Sequence, residues 1–197
     1  QVHPPVGQSK ASSTGGITGL VYRGVRGTTR LVGKGLDAGM TPLTRLLPEG
    51  DSPAKRDALV SVINGAYGDH LLQTGNPLAI DMEILFQGKP IASYEPGSDQ
   101  LLSEASSNSK VILFVHGLCL NENHWTRDGE NRGESVARKL GYTPLYLRYN
   151  SGLHIWENGK NLAGILETLQ QNWPYPVGEL VLVGHSMGGL LTRLFFF

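Results

Sequence analysis

The chain has 197 residues, 40% hydrophobic and 17% charged, a balance suited to one substantial buried core rather than to a disordered chain. Lysine plus arginine and aspartate plus glutamate number 17 each, so no net field favours nucleic acid or another highly charged partner. The single cysteine, Cys119, excludes an internal disulfide and any CxxC pair for metal or redox chemistry.

Residues 1–16 are rich in Pro, Ser and Gly and are expected to form a flexible arm. Residues 17–76 read as a helical N-terminal extension. In it Ile17, Leu20, Val21, Val25, Leu31, Val32, Leu36 and Met40 recur at helical spacing, with Arg23, Arg26, Arg30 and Lys34 mostly between them. The segment 17–40 is therefore amphipathic and basic, fit either to cover a core or to lie on a membrane surface. Ser52-Pro53 is a helix start, with proline at the first helical position, and Leu59, Val62, Ile63, Ala66 and Tyr67 form the apolar stripe of a second helix. His70 falls on that stripe as an expected core residue.

After Asn76-Pro77 the period changes. Leu78, Ile80, Met82, Ile84 and Phe86 alternate as in a half-buried strand, and Gly88-Lys89-Pro90 turns toward a short strand around Ile91. Residues 95–109 read as a loop. Val111 to Val115 is an apolar run of the kind buried on both faces of a parallel sheet. A helix near Glu134 to Leu140, a strand from Pro144 to Tyr149, a helix carrying Leu162, Ile165, Leu166 and Leu169, and an apolar strand Leu180 to Val183 follow. Leu190, Leu191 and Leu194 begin a last helix. Strands alternating with helices predict the α/β class, a three-layer sandwich with a mainly parallel sheet.

Chemistry concentrates in Gly184-His185-Ser186-Met187-Gly188-Gly189, a G-x-S-x-G pattern set between an apolar strand and a helix start. A strand turning sharply into a helix strains its corner residue, and side chains two positions either side would collide. Gly184 and Gly188 let such a turn close and lift the Ser186 hydroxyl above the sheet. Gly189 and His185 support the turn. Met187 opens the helix, so its N–H has no intrahelical partner and faces an incoming oxyanion. A second donor is expected from the end of the earlier strand, His116-Gly117-Leu118. Here Leu118 N–H is the candidate, Gly117 allows close approach, and His116 braces the loop.

With these two motifs about 70 residues apart, the sequence resembles the α/β-hydrolase family, its esterase and lipase branch above all, in which HGL and GHSMGG recur in these positions. The resemblance covers residues 110–197 and is weak before residue 77. It implies a cofactor-free serine hydrolase acting on esters, small or lipid-like, through an acyl-enzyme at Ser186. It also implies an eight-strand sheet, of which residues 77–197 supply the first five strands. In that family the acid and the histidine follow the serine, whereas the eleven residues after Ser186 include no Asp, Glu or His. Together with the start at Gln1 and the apolar end Leu194-Phe195-Phe196-Phe197, this leads us to expect an incomplete hydrolase domain with little turnover by itself. The alternative is a non-catalytic or membrane-associated binding protein on the same scaffold.

The remaining candidates have simpler readings. His124 and His154 are loop histidines. No pair of histidines has metal-ligand spacing backed by carboxylates, so no metal is expected. Cys119 is a packed thiol without a base, and Trp125, Trp156 and Trp173 are packing residues, Trp125 with a possible place in an acyl pocket. A cytoplasmic or peripheral-membrane location is the expectation.

Overall fold

The structure is a computed structural model that describes residues 53–95, 101–102, 105 and 109–194. The arm 1–16, the basic segment 17–40, the helix-start residue Ser52 and the terminal phenylalanines lie outside the described residues.

Helix α1 spans Pro53–Gln73 and is broken at Tyr67, where φ is −138° and ψ 21°. Val62, Ile63 and Leu71 are its buried apolar residues, and Ile63 and Leu71 pack with Leu78. The expected stripe needs correction at Ala66, which is exposed, and at His70, which is only half-buried. The reason lies in two glycines. A Cβ on Gly65 would sit 2.3 Å from Cys119 Sγ, and one on Gly68 would sit 1.8 Å from Asn150 Oδ1. The helix therefore meets the rest of the molecule on Gly65 and Gly68, at a distance that an apolar stripe would prevent.

Strand β1 covers only Glu83–Phe86, so the alternation from Leu78 onward overstates it. Segment 77–82 spends its backbone groups elsewhere. Leu78 N–H and Ala79 N–H donate to Asn76 Oδ1 and Asn76 O at 2.9 Å each, and Ile80 N–H donates to Asn64 Oδ1 at 2.9 Å. Gln87 and Gly88, both at positive φ, form the tight hairpin to β2 (Lys89–Pro90). Ile91 does not extend that strand. It opens a 3-10 turn, Ile91–Ser93, after the proline at the sheet edge.

The α/β alternation then unfolds in order: β3 (Lys110–Val115), a 3-10 turn (Glu122–Trp125), the ribbon β4 (Thr126–Arg127) and β5 (Glu130–Asn131), α2 (Arg132–Leu140), β6 (Thr143–Arg148), α3 (Ile155–Asn172), β7 (Glu179–Gly184) and α4 (Met187–Leu194). The ribbon was not visible in the pattern of apolar residues. Asn131 caps α2 by accepting from Glu134 N–H, and Gly141 ends it at φ 73°.

The main sheet has the order β2-β1-β6-β3-β7. Strands β6, β3 and β7 are mutually parallel, and β1 is antiparallel to both neighbours. Val111, Leu113 and Val115 point to the face covered by α3 and α4, through Leu162, Leu166, Leu169 and Leu191. Ile112 and Phe114 point to the other face, covered by α2 through Ala137. This is a mixed α/β fold with helices on both faces of a mostly parallel sheet. Burial on both faces is why β3 reads as an unbroken apolar run. Strand β7, at the described edge, has Leu180 to Val183 only half-buried.

The order of the strands places the site. From β3 the chain moves through α2 to β6 on one side, then through α3 to β7 on the opposite side of β3. The loop leaving β3 leads toward one face and the loop leaving β7 toward the other. Their carboxyl ends are the position where open α/β sheets hold ligands.

Candidate functional site

Ser186 stands at that position, in the turn from β7 into α4, exposed and with φ 54°. A left-handed backbone costs a side-chain-bearing residue on the order of 1–3 kcal/mol, so the surrounding contacts must hold it. His185 N–H donates to Val115 O at 2.9 Å, extending the β3–β7 ladder one residue past the strand. Gly188 N–H and Gly189 N–H donate to His185 O and Ser186 O, also at 2.9 Å, and tighten the first turn of α4.

The two glycines flanking the serine are needed sterically. A Cβ on Gly184 would lie 2.4 Å from Gly189 N, and one on Gly188 would lie 2.4 Å from Val115 O and 2.5 Å from His116 O. Gly188 therefore lets the start of α4 rest directly on the backbone at the end of β3. A Cβ on Gly189 would be in ordinary contact, 3.6 Å from Gly184 O, so glycine is not required there in the same way.

The loop after β3 comes to the serine from the other side. A Cβ on Gly117 would lie 3.1 Å from both Ser186 Cβ and His185 O. Gly117 is buried, whereas Leu118 beside it is 49% exposed. The Gly117 carbonyl is held twice. It accepts from Leu120 N–H at 3.2 Å and from the His116 ring at Nδ1, 2.9 Å away. In a trans peptide the C=O and the next N–H point in opposite directions. Holding Gly117 O against the His116 ring therefore fixes the outward aim of Leu118 N–H. Met187 N–H, the first amide of α4, is the other candidate donor beside Ser186.

His116 itself is 1% exposed and stacks on Tyr149, with ring centroids 4.4 Å apart. Its Nδ1 faces a carbonyl and must carry the proton, which leaves Nε2 as a buried acceptor without a partner among the described residues. Burial, opposed by the Gly117 carbonyl, lowers its pKa to about 4, so the ring is neutral. It packs against the loop through the Gly117 carbonyl, and its low pKa makes it a poor proton acceptor for the serine.

Two other imidazoles lie nearer the opening. The exposed rings of His185 and His124 are 4.4 Å apart, and Trp125 flanks both. Burial and then the neighbouring His185 lower the His124 pKa. Neither ring is hydrogen-bonded to the Ser186 hydroxyl among the described residues. His154 sits apart, at the N-terminal end of α3.

The other side-chain expectations divide. Cys119 is half-buried, with its thiol 4.0 Å from Val62 O and its pKa raised by burial, as a packed thiol should be. Trp173 is buried edge-on against Phe86, and Trp125 packs on Phe114. Trp156, in the first turn of α3, is 65% exposed and is not the packing residue expected. Among the described residues no group of three or more His, Cys, Asp or Glu is placed to hold a metal ion. No helix among them is long and apolar enough to cross a membrane.

Sequence reasoning missed the polar support behind the loop. Glu122 and Arg148 form a two-pronged ion pair, one prong being Arg148 Nε to Glu122 Oε2 at 3.2 Å, that ties the 3-10 turn to the end of β6. The only sequence signal was the polar run Arg148 to Gly152 directly after an apolar strand. No family model, curated protein or solved structure matches this chain.

Proposed function

We propose that the chain carries the nucleophile and the oxyanion-binding donors of a serine hydrolase of the α/β-hydrolase type, acting on carboxylic esters. The observation that carries this reading is Ser186 at φ 54°, clamped by glycines and touched by the loop that bears a second free amide. The switch-point position between β3 and β7 adds support, as does the eight-residue helix α4 directly behind the serine.

In this reading Ser186 Oγ attacks the ester carbonyl carbon, forming a C–O bond while the carbonyl π electrons move onto oxygen. Met187 N–H and Leu118 N–H hold that oxyanion. The serine proton passes to a general base, which in the family this sequence resembles is a histidine. The same group returns the proton to the departing alcohol, and water then releases the acyl group by the same route. Leu118, adjacent to Gly117 on the loop that touches Ser186, is 49% exposed. An apolar side chain there favours an acyl chain over a charged substrate.

A fluorophosphonate probe tests the reading, with Ser186→Ala as the control. Labelling that maps to Ser186 and vanishes in the variant is expected. An unlabelled, folded full-length protein would overturn the hydrolase reading and favour a binding scaffold that keeps the turn without the chemistry.

A further inference from the structure

The loop that follows β6 has no part in the motifs, yet its three consecutive residues Tyr149, Asn150 and Ser151 are each at most 2% exposed. Buried polar side chains persist where they have partners, and here the partners are specific. Tyr149 OH donates to His116 O at 2.8 Å. Ser151 Oγ accepts from Cys119 N–H at 3.0 Å. Asn150 is itself fixed on three sides. Its Nδ2 donates to Gly68 O of α1 at 2.9 Å, its Oδ1 accepts from Gly152 N–H at 3.1 Å, and its carbonyl accepts from Asn158 Nδ2 at 2.9 Å.

The two outer contacts bracket the loop at the candidate oxyanion donor. Tyr149 holds the peptide just before the one that carries Leu118 N–H, and Ser151 holds the peptide just after it. Cys119 needs such a tether because it sits at φ 60°, a conformation it would otherwise leave. Asn150, anchored to α1, keeps Ser151 from following the loop if the loop moves.

We infer that Ser151 is a positioning residue that sets the aim of Leu118 N–H at the Ser186 oxyanion by holding Cys119 N–H. The inference rests on the hydrolase reading. Without the Ser151 acceptor, the Cys119 amide turns toward water and the Leu118 peptide gains freedom. Small misplacements of a preorganised donor lower turnover by about 10- to 100-fold and leave ground-state binding nearly untouched.

The test uses the full-length protein with an ester and its thionoester counterpart, whose sulfur accepts hydrogen bonds poorly. Ser151→Ala should lower kcat for the oxygen ester by about 10- to 100-fold at nearly constant KM, with a far smaller loss for the thionoester. Ser151→Thr, which keeps the acceptor oxygen, should restore the ratio. An equal loss on both esters, or an unchanged ratio, overturns the role of Ser151 while fluorophosphonate labelling of Ser186 still upholds the hydrolase reading. Absence of labelling in the wild type overturns both. Should Ser151→Ala not fold, amide exchange of the wild type decides: Cys119 N–H is expected to be the slowest of residues 117–120, and rapid exchange there overturns the tether.

Discussion

Lowering the pH should destabilise this fold through His116. Its ring is 1% exposed, and its pKa falls to about 4, chiefly through burial. An unfolded histidine titrates near 6.5, so between these values the unfolded chain binds a proton that the folded chain refuses. A base with a depressed folded pKa contributes stability that is whole above the unfolded pKa and drains away as pH falls toward the folded one. The full span corresponds to about 3 kcal/mol, of which about 2 kcal/mol is lost between pH 7 and pH 5. Against a total of roughly 5–15 kcal/mol, such a loss shows plainly in a urea midpoint. Denaturation at both pH values, for the wild type and for His116→Gln, isolates this one group because the carboxylates titrate alike in each. The variant should be less stable at pH 7, having lost the fit against Tyr149, and its stability should fall less by about 2 kcal/mol on acidification. Equal pH dependence in the two proteins would refute the claim that His116 is held neutral.

Other perturbations reach the same pair of loops. Gly188→Ala forces a methyl to within 2.4 Å of Val115 O, so it should cost at least about 2 kcal/mol and abolish probe labelling at Ser186; a stable, labelled variant would count against the turn geometry. Ser186→Gly relieves a left-handed backbone and should raise stability by about 1 kcal/mol in thermal unfolding, whereas Ser186→Ala should not. Arg148→Ala leaves Glu122, whose side chain is 11% exposed, without its partner; because Arg148 is itself a third exposed, a loss of about 1–2 kcal/mol is expected, and no change in denaturant midpoint would sink the point.

What was legible in the sequence were the features that local chemistry dictates. The β3 and β7 runs, the amphipathic α3 and the glycine pair around Ser186 each carry their own periodicity or steric demand, and they appear within a residue or two of where they were expected. What was not legible depends on partners distant in the chain. The alternation from Leu78 to Phe86 looks like one strand. Asn64 and Asn76 take up the backbone donors of its first half, and no pattern within the segment reveals that. Helix α1 shows an apolar stripe, but the close approach of Cys119 and Asn150 selects Gly65 and Gly68 as its contact surface. The tether from Ser151 to Cys119 spans 32 positions, and a lone buried serine announces nothing by itself.

The strained residues sort in a way that bears on function. Four non-glycine residues among those described have positive φ: Gln87, Cys119, Asp128 and Ser186. Gln87 and Asp128 each precede a positive-φ glycine at the tip of a two-residue hairpin, β1–β2 and β4–β5, where the twist of the strands demands that conformation. No hairpin accounts for the other two. Cys119 and Ser186 lie on the two loops that the jump in strand order sets face to face, and Gly117 closes the gap between them. A connection that served only to join elements would place glycine at both positions and avoid the cost. At Ser186 a glycine would remove the hydroxyl, so in the proposed hydrolase reading the strain there accompanies the nucleophile; at Cys119 the strain is held by the Ser151 acceptor, next to the candidate donor Leu118 N–H.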